Sequence, residues 1–199
     1  MTVIDASLRS RLREATAPAH RRLEAALDLS AANLRRDRLI ALLGRFHGFH
    51  AGWEPALRRV VPASIAGPRL KLSLLQDDLR RLGLDETTLR ALPVCADTAV
   101  LCASEAAAAG SLYVLEGSTL GGQILQRSLR THDWYPAEGL RYWNPYGAHT
   151  GQRWHETVSY LEARPARQGD ETVNAAVSTF VLLESWLLAG LPARADVPA

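Results

Sequence analysis

Lysine is almost missing from this chain: Lys71 is the only one, and every other basic residue is arginine. Cysteine is nearly as scarce. Cys95 and Cys102 are the only two, and no CxxC pair is present, which excludes the common zinc sites and thioredoxin-type chemistry. Seven positions apart on a helical face, they lie too far from each other for an easy disulfide, so a reducing, cytoplasmic setting is expected. No basic-apolar-small leader opens the sequence, and no apolar run approaches the roughly 20 residues of a membrane span. The expected protein therefore has no membrane partner. A net charge of +2, with the basic residues spread along the chain, also argues against nucleic acid as a partner.

Strand patterning is absent as well. There is no alternating run of convincing length, no fixed-period repeat and no low-complexity block. What is present is a 199-residue chain with 47% hydrophobic and 22% charged residues, enough to bury one good core. Apolar residues recur at three- and four-residue steps, so the expected fold is all-α: one domain over 1–199, with a frayed tail at about 191–199. Helices are expected over Asp5–Leu29 (interrupted or kinked at Pro18), from an Asn33 N-cap to Val60, over Pro68–Leu82, over Asp85–Leu92, and as one long element from Asp97 to Arg130. An aromatic-rich ordered cover follows over 132–147. Two further helices are expected near Gly151–Ala163 and Asp170–Gly190.

The long element carries an unusual burden. Within it, Gly117, Gly121 and Gly122 fall inside six positions, although each costs a helix roughly 1 kcal/mol relative to alanine. Followed along one face, Ala103, Ala107, Gly110, Val114, Gly117 and Gly121 make a stripe of small residues. Such a stripe fits either close helix–helix contact or a wall against a flat ligand, and spacing leaves both open. Gly44, Gly48 and Gly52 form a second stripe, with His47 and His50 beside it as expected core or surface histidines.

Motif chemistry narrows the choice. No Glu-x-x-His pair, His-Glu-x-x-His, phosphate-binding glycine loop or Gly-x-Ser-x-Gly elbow occurs. One histidine stands out, His20, with Glu24 four residues on. At that helical spacing a carboxylate can hold one imidazole nitrogen and leave the other for a metal. An axial imidazole together with a helix that permits close approach is a combination that suits haem.

Two segments carry a resemblance. Leu12-Arg-Glu-Ala-Thr-Ala-Pro-Ala-His20, with Glu24, resembles the proximal-helix signature of haem oxygenases. Tyr113-Val-Leu-Glu-Gly-Ser-Thr-Leu-Gly-Gly-Gln123 is similar to their distal helix, in particular that of the bacterial biliverdin-forming, phytochrome-associated members. The resemblance implies His20 as the axial ligand of haem iron and Glu24 as the partner of its other nitrogen. It implies Gly117, Gly121 and Gly122 as the distal glycines over the haem face, and Arg13 as a propionate contact. Tyr113 and Phe180 are weaker candidates for the haem surroundings. Where mammalian-type members carry an aspartate that organises distal waters, this chain has Ser118, which joins Gly117 and Gly121 as a candidate catalytic position.

The implied activity is cleavage of haem b, at once cofactor and substrate, to biliverdin, CO and Fe(II), dependent on O2 and electrons. With no flavin or nicotinamide motif, the electrons are expected from a separate reductase or ferredoxin. A bacteriophytochrome is the implied recipient of biliverdin. Two alternatives stand beside this: a non-catalytic haem or bilin carrier, and a hydrolase of the thiamin-degrading kind using a cysteine nucleophile.

Overall fold

The computed structural model describes residues 7–30 and 34–192. The described residues form eight α-helices joined by short 3-10 turns, with no strand. Helix α1 (Leu8–Leu27) begins at Ser7, whose hydroxyl accepts from the Ser10 amide, and buries Leu12, Thr16, Ala19, Leu23 and Leu27. It runs through Pro18 without a break. The proline removes one amide donor on an exposed side of the helix, where water can satisfy the freed carbonyl. The expected starts at Asp5 and at the Asn33 cap lie outside the described residues. Helix α2 (Arg36–Val60) is followed by α3 (Ala63–Ala66), a 3-10 turn at Gly67–Arg69, and α4 (Leu72–Arg81).

The single helix expected over Pro68–Leu82 is therefore interrupted, for a physical reason. The amides of Lys71 and Leu72 donate to the Glu54 carboxylate of α2 at 2.6 and 2.8 Å instead of to helix carbonyls. Helix α5 (Glu86–Arg90) is short and capped by Asp85. The expected long element from Asp97 is also two pieces: a 3-10 turn at Ala96–Cys102 and α6 (Glu105–Leu129), bent by 115°. Ser104 makes the corner, its hydroxyl accepting from the Ala107 amide at 3.0 Å as an N-cap. From there α6 continues unbroken through all three glycines.

Helix α8 (Gly169–Leu188) packs against both α1 and α6. Arg11 meets Asp170, His20 meets Phe180 and Arg22 meets Glu184, so α1 and α8 run in the same sense. Helix α6 follows α8 likewise. Ser104 bonds Glu171, and Gly110 abuts the α8 backbone, where an added Cβ would lie 2.2 Å from the Thr172 carbonyl oxygen. Helix α7 (Thr150–Glu162) is antiparallel to α6, with Tyr160 bonded to Glu105 and Trp154 beside Gly117.

Residues 130–149 form the expected ordered cover. Tyr135, Leu140, Tyr142 and Trp143 are buried. Asp78 accepts from the Arg141 and Tyr142 amides at 2.8 and 2.7 Å, and the Gln123 amide reaches Asn144 and Thr150. Among the described residues, no single helix is long and apolar enough to cross a membrane.

Candidate haem site

His20 projects from α1 with half its side chain (52%) exposed, and Glu24 one turn on is 65% exposed. The nearer imidazole nitrogen, Nε2, lies 3.5 Å from Glu24 Oε1, at the outer limit of a hydrogen bond. The buried Phe180 ring meets the imidazole edge-on, with centroids 5.5 Å apart. Phe180 is thus the direct packing partner of His20 and limits its ring positions. Arg13, two turns earlier on α1, is exposed.

On α6 the small stripe divides between the two readings that spacing left open. Gly110 serves close helix–helix contact with α8, as described above. Gly121 faces open space, and an added Cβ there would meet nothing within 4 Å. Gly117 is intermediate, its position for a Cβ lying 3.6 Å from the Trp154 ring, an ordinary contact. Gly122 points elsewhere, about 100° round the helix from Gly121. A Cβ at Gly122 would sit 2.1 Å from the Trp143 carbonyl oxygen, so this glycine admits the cover loop. Tyr113 packs against Trp154 of α7, with centroids 5.6 Å apart. Around the open stretch two large apolar side chains of α6, Leu120 and Ile124, stand in solvent, Ile124 at 69% exposure.

Ser118 is exposed, and its hydroxyl donates to the Leu115 carbonyl of its own helix at 2.9 Å. Its proton is therefore engaged, and its lone pairs remain available to a water. The residues fit haem chemically. An accessible imidazole is braced by an aromatic ring, and an open position at Gly121 is bordered by unburied apolar groups.

Behind that face lies a polar cluster that sequence reading missed. Lys71, 2% exposed, and Glu116, 1% exposed, pair at 2.7 Å, and the Lys71 ammonium also donates to the Leu115 carbonyl at 3.2 Å. Buried Arg69 stands 3.6 Å from the other Glu116 oxygen, and the Tyr146 hydroxyl donates to the same carboxylate at 2.9 Å. On α2, Glu54 receives the His50 imidazole at 3.0 Å, while the other His50 nitrogen is 3.4 Å from the Tyr142 hydroxyl. Burial lowers the pKa values of His47 and His50, which favours their neutral forms. Two signals were visible in the sequence: a glutamate inside an apolar run, and the only lysine.

The second glycine stripe is purely structural. An added Cβ at Gly48 would lie 2.0 Å from the Pro93 carbonyl oxygen, and one at Gly52 would lie 2.4 Å from that of Cys95. Both cysteines are buried, and burial pushes the thiol pKa up, to about 11 for Cys102. Neither is poised as a nucleophile. Iodoacetamide at neutral pH is expected to leave both unmodified in the native protein and hemin binding unchanged. Rapid native labelling that abolished an activity would return the cysteine-hydrolase alternative to consideration.

Comparison with known proteins places this geometry. No family model matches the chain. A curated protein named heme oxygenase, from Xanthomonas campestris pv. campestris (strain 8004), is 33% identical over 117 residues. The match covers 57% of this chain and 66% of that relative. Among solved structures, the haem oxygenase of Leptospira interrogans superposes with a TM-score of 0.72 at 20% identity, over 92% of this chain and 100% of that one. Haem oxygenase-1 of Synechocystis sp. PCC6803, solved in complex with haem, gives 0.68 at 17% identity, over 92% and 91%. The all-α architecture is thus the haem oxygenase fold. Over the matched stretch the chain resembles the Xanthomonas haem oxygenase in sequence, and over nearly its whole length it shares the fold.

Proposed function

We propose that this chain degrades haem oxidatively to biliverdin, CO and Fe(II), drawing O2 from solution and electrons from a separate donor protein. What supports the reading is an accessible His20 set against Phe180 of α8, together with an open position at Gly121 on α6, which packs on the same helix. Bound haem supplies the redox-active iron that activates O2, and its own porphyrin edge is the substrate.

The chain's part is to bind, orient and exclude water. One imidazole nitrogen of His20 would hold the iron. Glu24 accepts from the other, fixing the tautomer and raising the basicity of the ligand. Phe180 braces the ring edge. On α6, the missing side chain of Gly121 would let the backbone approach the bound group, and the exposed Leu120 and Ile124 would offer it apolar contact. Arg13 would pair with a propionate, which a guanidinium can bind bidentately. Ser118, its proton engaged by the Leu115 carbonyl, would offer lone pairs to a water that could relay protons. The biliverdin released suits supply to a chromophore-binding photoreceptor such as a bacteriophytochrome.

The test is hemin titration by absorbance, followed in the same cuvette by reductant under air. The expected result is a saturable Soret band that decays into a biliverdin spectrum. One observation favours the second reading, a haem or bilin carrier: the Ser118 hydroxyl spends its proton on the Leu115 carbonyl. A Soret band that persisted under active reduction would establish the carrier. Absence of binding would remove both.

A further inference from the structure

The open face of α6 is backed by the only lysine in the chain. Lys71 sits where α4 begins, its backbone amide held by Glu54, which is itself engaged by His50. Its ammonium reaches two consecutive residues of α6, the Leu115 carbonyl and the Glu116 carboxylate, directly before Gly117. The Leu115 carbonyl also receives the Ser118 hydroxyl, so Lys71 and Ser118 share one acceptor. The surroundings are rich in paired charges. Arg69 and Lys71 both face Glu116, Glu156 stands 3.6 Å from Arg69 at the rim, and Tyr146 also donates to Glu116.

We propose that Lys71 is the positioning residue of the haem-facing stretch of α6. It fixes the backbone immediately before Gly117 and holds a positive charge behind the face. The inference rests on the reading that this face meets haem, and it adds the element that holds the face in place. Glycines weaken the helix here, so an external clamp at Leu115–Glu116 supplies the rigidity that Gly117, Gly121 and Gly122 remove. The clamp must be compact. Tyr146 and Arg69 already contact Glu116, and a point charge with rotatable donors reaches both that carboxylate and the Leu115 carbonyl, a geometry that a planar fork does not match. Everywhere else the chain uses arginine as its cation.

The experiment has two arms, each run on the wild type, Lys71→Met, Lys71→Arg and Glu116→Gln. Hydrogen exchange on the protein without added hemin is expected to show amides of 117–121 exchanging about tenfold faster in Lys71→Met, the loss of roughly one hydrogen bond. Amides of 106–110, held by α8, keep their rate. Lys71→Arg does not rescue the protection, and the near-isosteric Glu116→Gln shows the same loosening to a smaller degree.

In the ferric hemin complex, azide affinity falls several-fold in Lys71→Met and rises in Glu116→Gln, while affinity for neutral imidazole stays constant. A purely structural disturbance does not produce opposite signs for an anion and no change for a neutral ligand. Unchanged exchange in all variants, rescue by arginine, or azide shifts of one sign would overturn the proposal. Should Lys71→Met fail to fold, Glu116→Gln carries both arms. A wild type that binds no hemin would defeat the proposed function, and the exchange arm would still decide the positioning role.

Discussion

Replacing His20 by alanine is expected to remove the saturable Soret band, or to weaken hemin binding by well over 100-fold, without unfolding the protein. The second half of that expectation follows from exposure. With half its side chain in solvent and a contact with Glu24 at 3.5 Å, His20 contributes little to the core, so its loss should cost well under about 1 kcal/mol of stability. The first half follows from coordination. Partners of a ligating histidine are themselves worth about 10–100-fold in metal affinity, so the ligand must be worth more. Glu24→Gln accordingly falls between, at about tenfold. Circular dichroism and hemin titration on the same samples check both halves. Retained axial ligation in His20→Ala, read from the ferric spectrum, would remove His20 from the site.

Alanine at Gly110 and at Gly121 should act in opposite directions, although the two positions share one stripe. At Gly110 the new methyl would lie 2.2 Å from the Thr172 carbonyl oxygen and 2.9 Å from the Ala176 amide nitrogen, both α8 backbone. Neither can rotate away, so α6 and α8 must separate, at a cost of about 3 kcal/mol, the upper end for overpacking. At Gly121 the methyl meets nothing within 4 Å. The helix then gains up to about 1 kcal/mol from alanine's higher propensity, and the melting temperature rises.

The same methyl intrudes where the macrocycle would approach, and a misfit of about 1.4 kcal/mol is a tenfold loss in affinity. Gly121→Ala is therefore expected to be more stable and to bind hemin about tenfold more weakly. Urea unfolding and hemin titration measure the two effects separately. Normal hemin affinity in a stabilised Gly121→Ala protein would take this face of α6 out of the haem site.

The comparison of these glycines shows where sequence reading stops. A three- and four-residue recurrence places Gly110, Gly117 and Gly121 on one face, because that relation is local and set by the helical repeat. What stands opposite each one depends on how α7, α8 and the cover loop pack, and no local pattern encodes that. The two helix breaks were hidden for similar reasons. At Ser104 the small-residue pattern continues through the corner, and the N-cap that ends it is a common residue. At Lys71 the chain leaves helical geometry because a carboxylate 17 positions earlier takes its amide.

Histidine makes the same point more sharply. His20–Glu24 and His50–Glu54 have identical spacing, so helical geometry alone offers two equivalent imidazole–carboxylate pairs. Only the fold separates them. His50 is 1% exposed, with its two ring nitrogens at Glu54 and Tyr142, whereas His20 stands half in solvent beside Phe180.

The sequence by itself determined the all-α class, the order of the helices, the ordered aromatic cover and the two segments that resemble haem oxygenases. These rest on periodicity and motif, which are properties of neighbouring residues. Tertiary structure alone decided which histidine is accessible, which glycines are packing contacts and which face open space, and that the chain's only lysine lies buried against Glu116. Those are questions of what lies opposite a side chain. They are answered by burial and long-range contact, where desolvation and close packing set the energies.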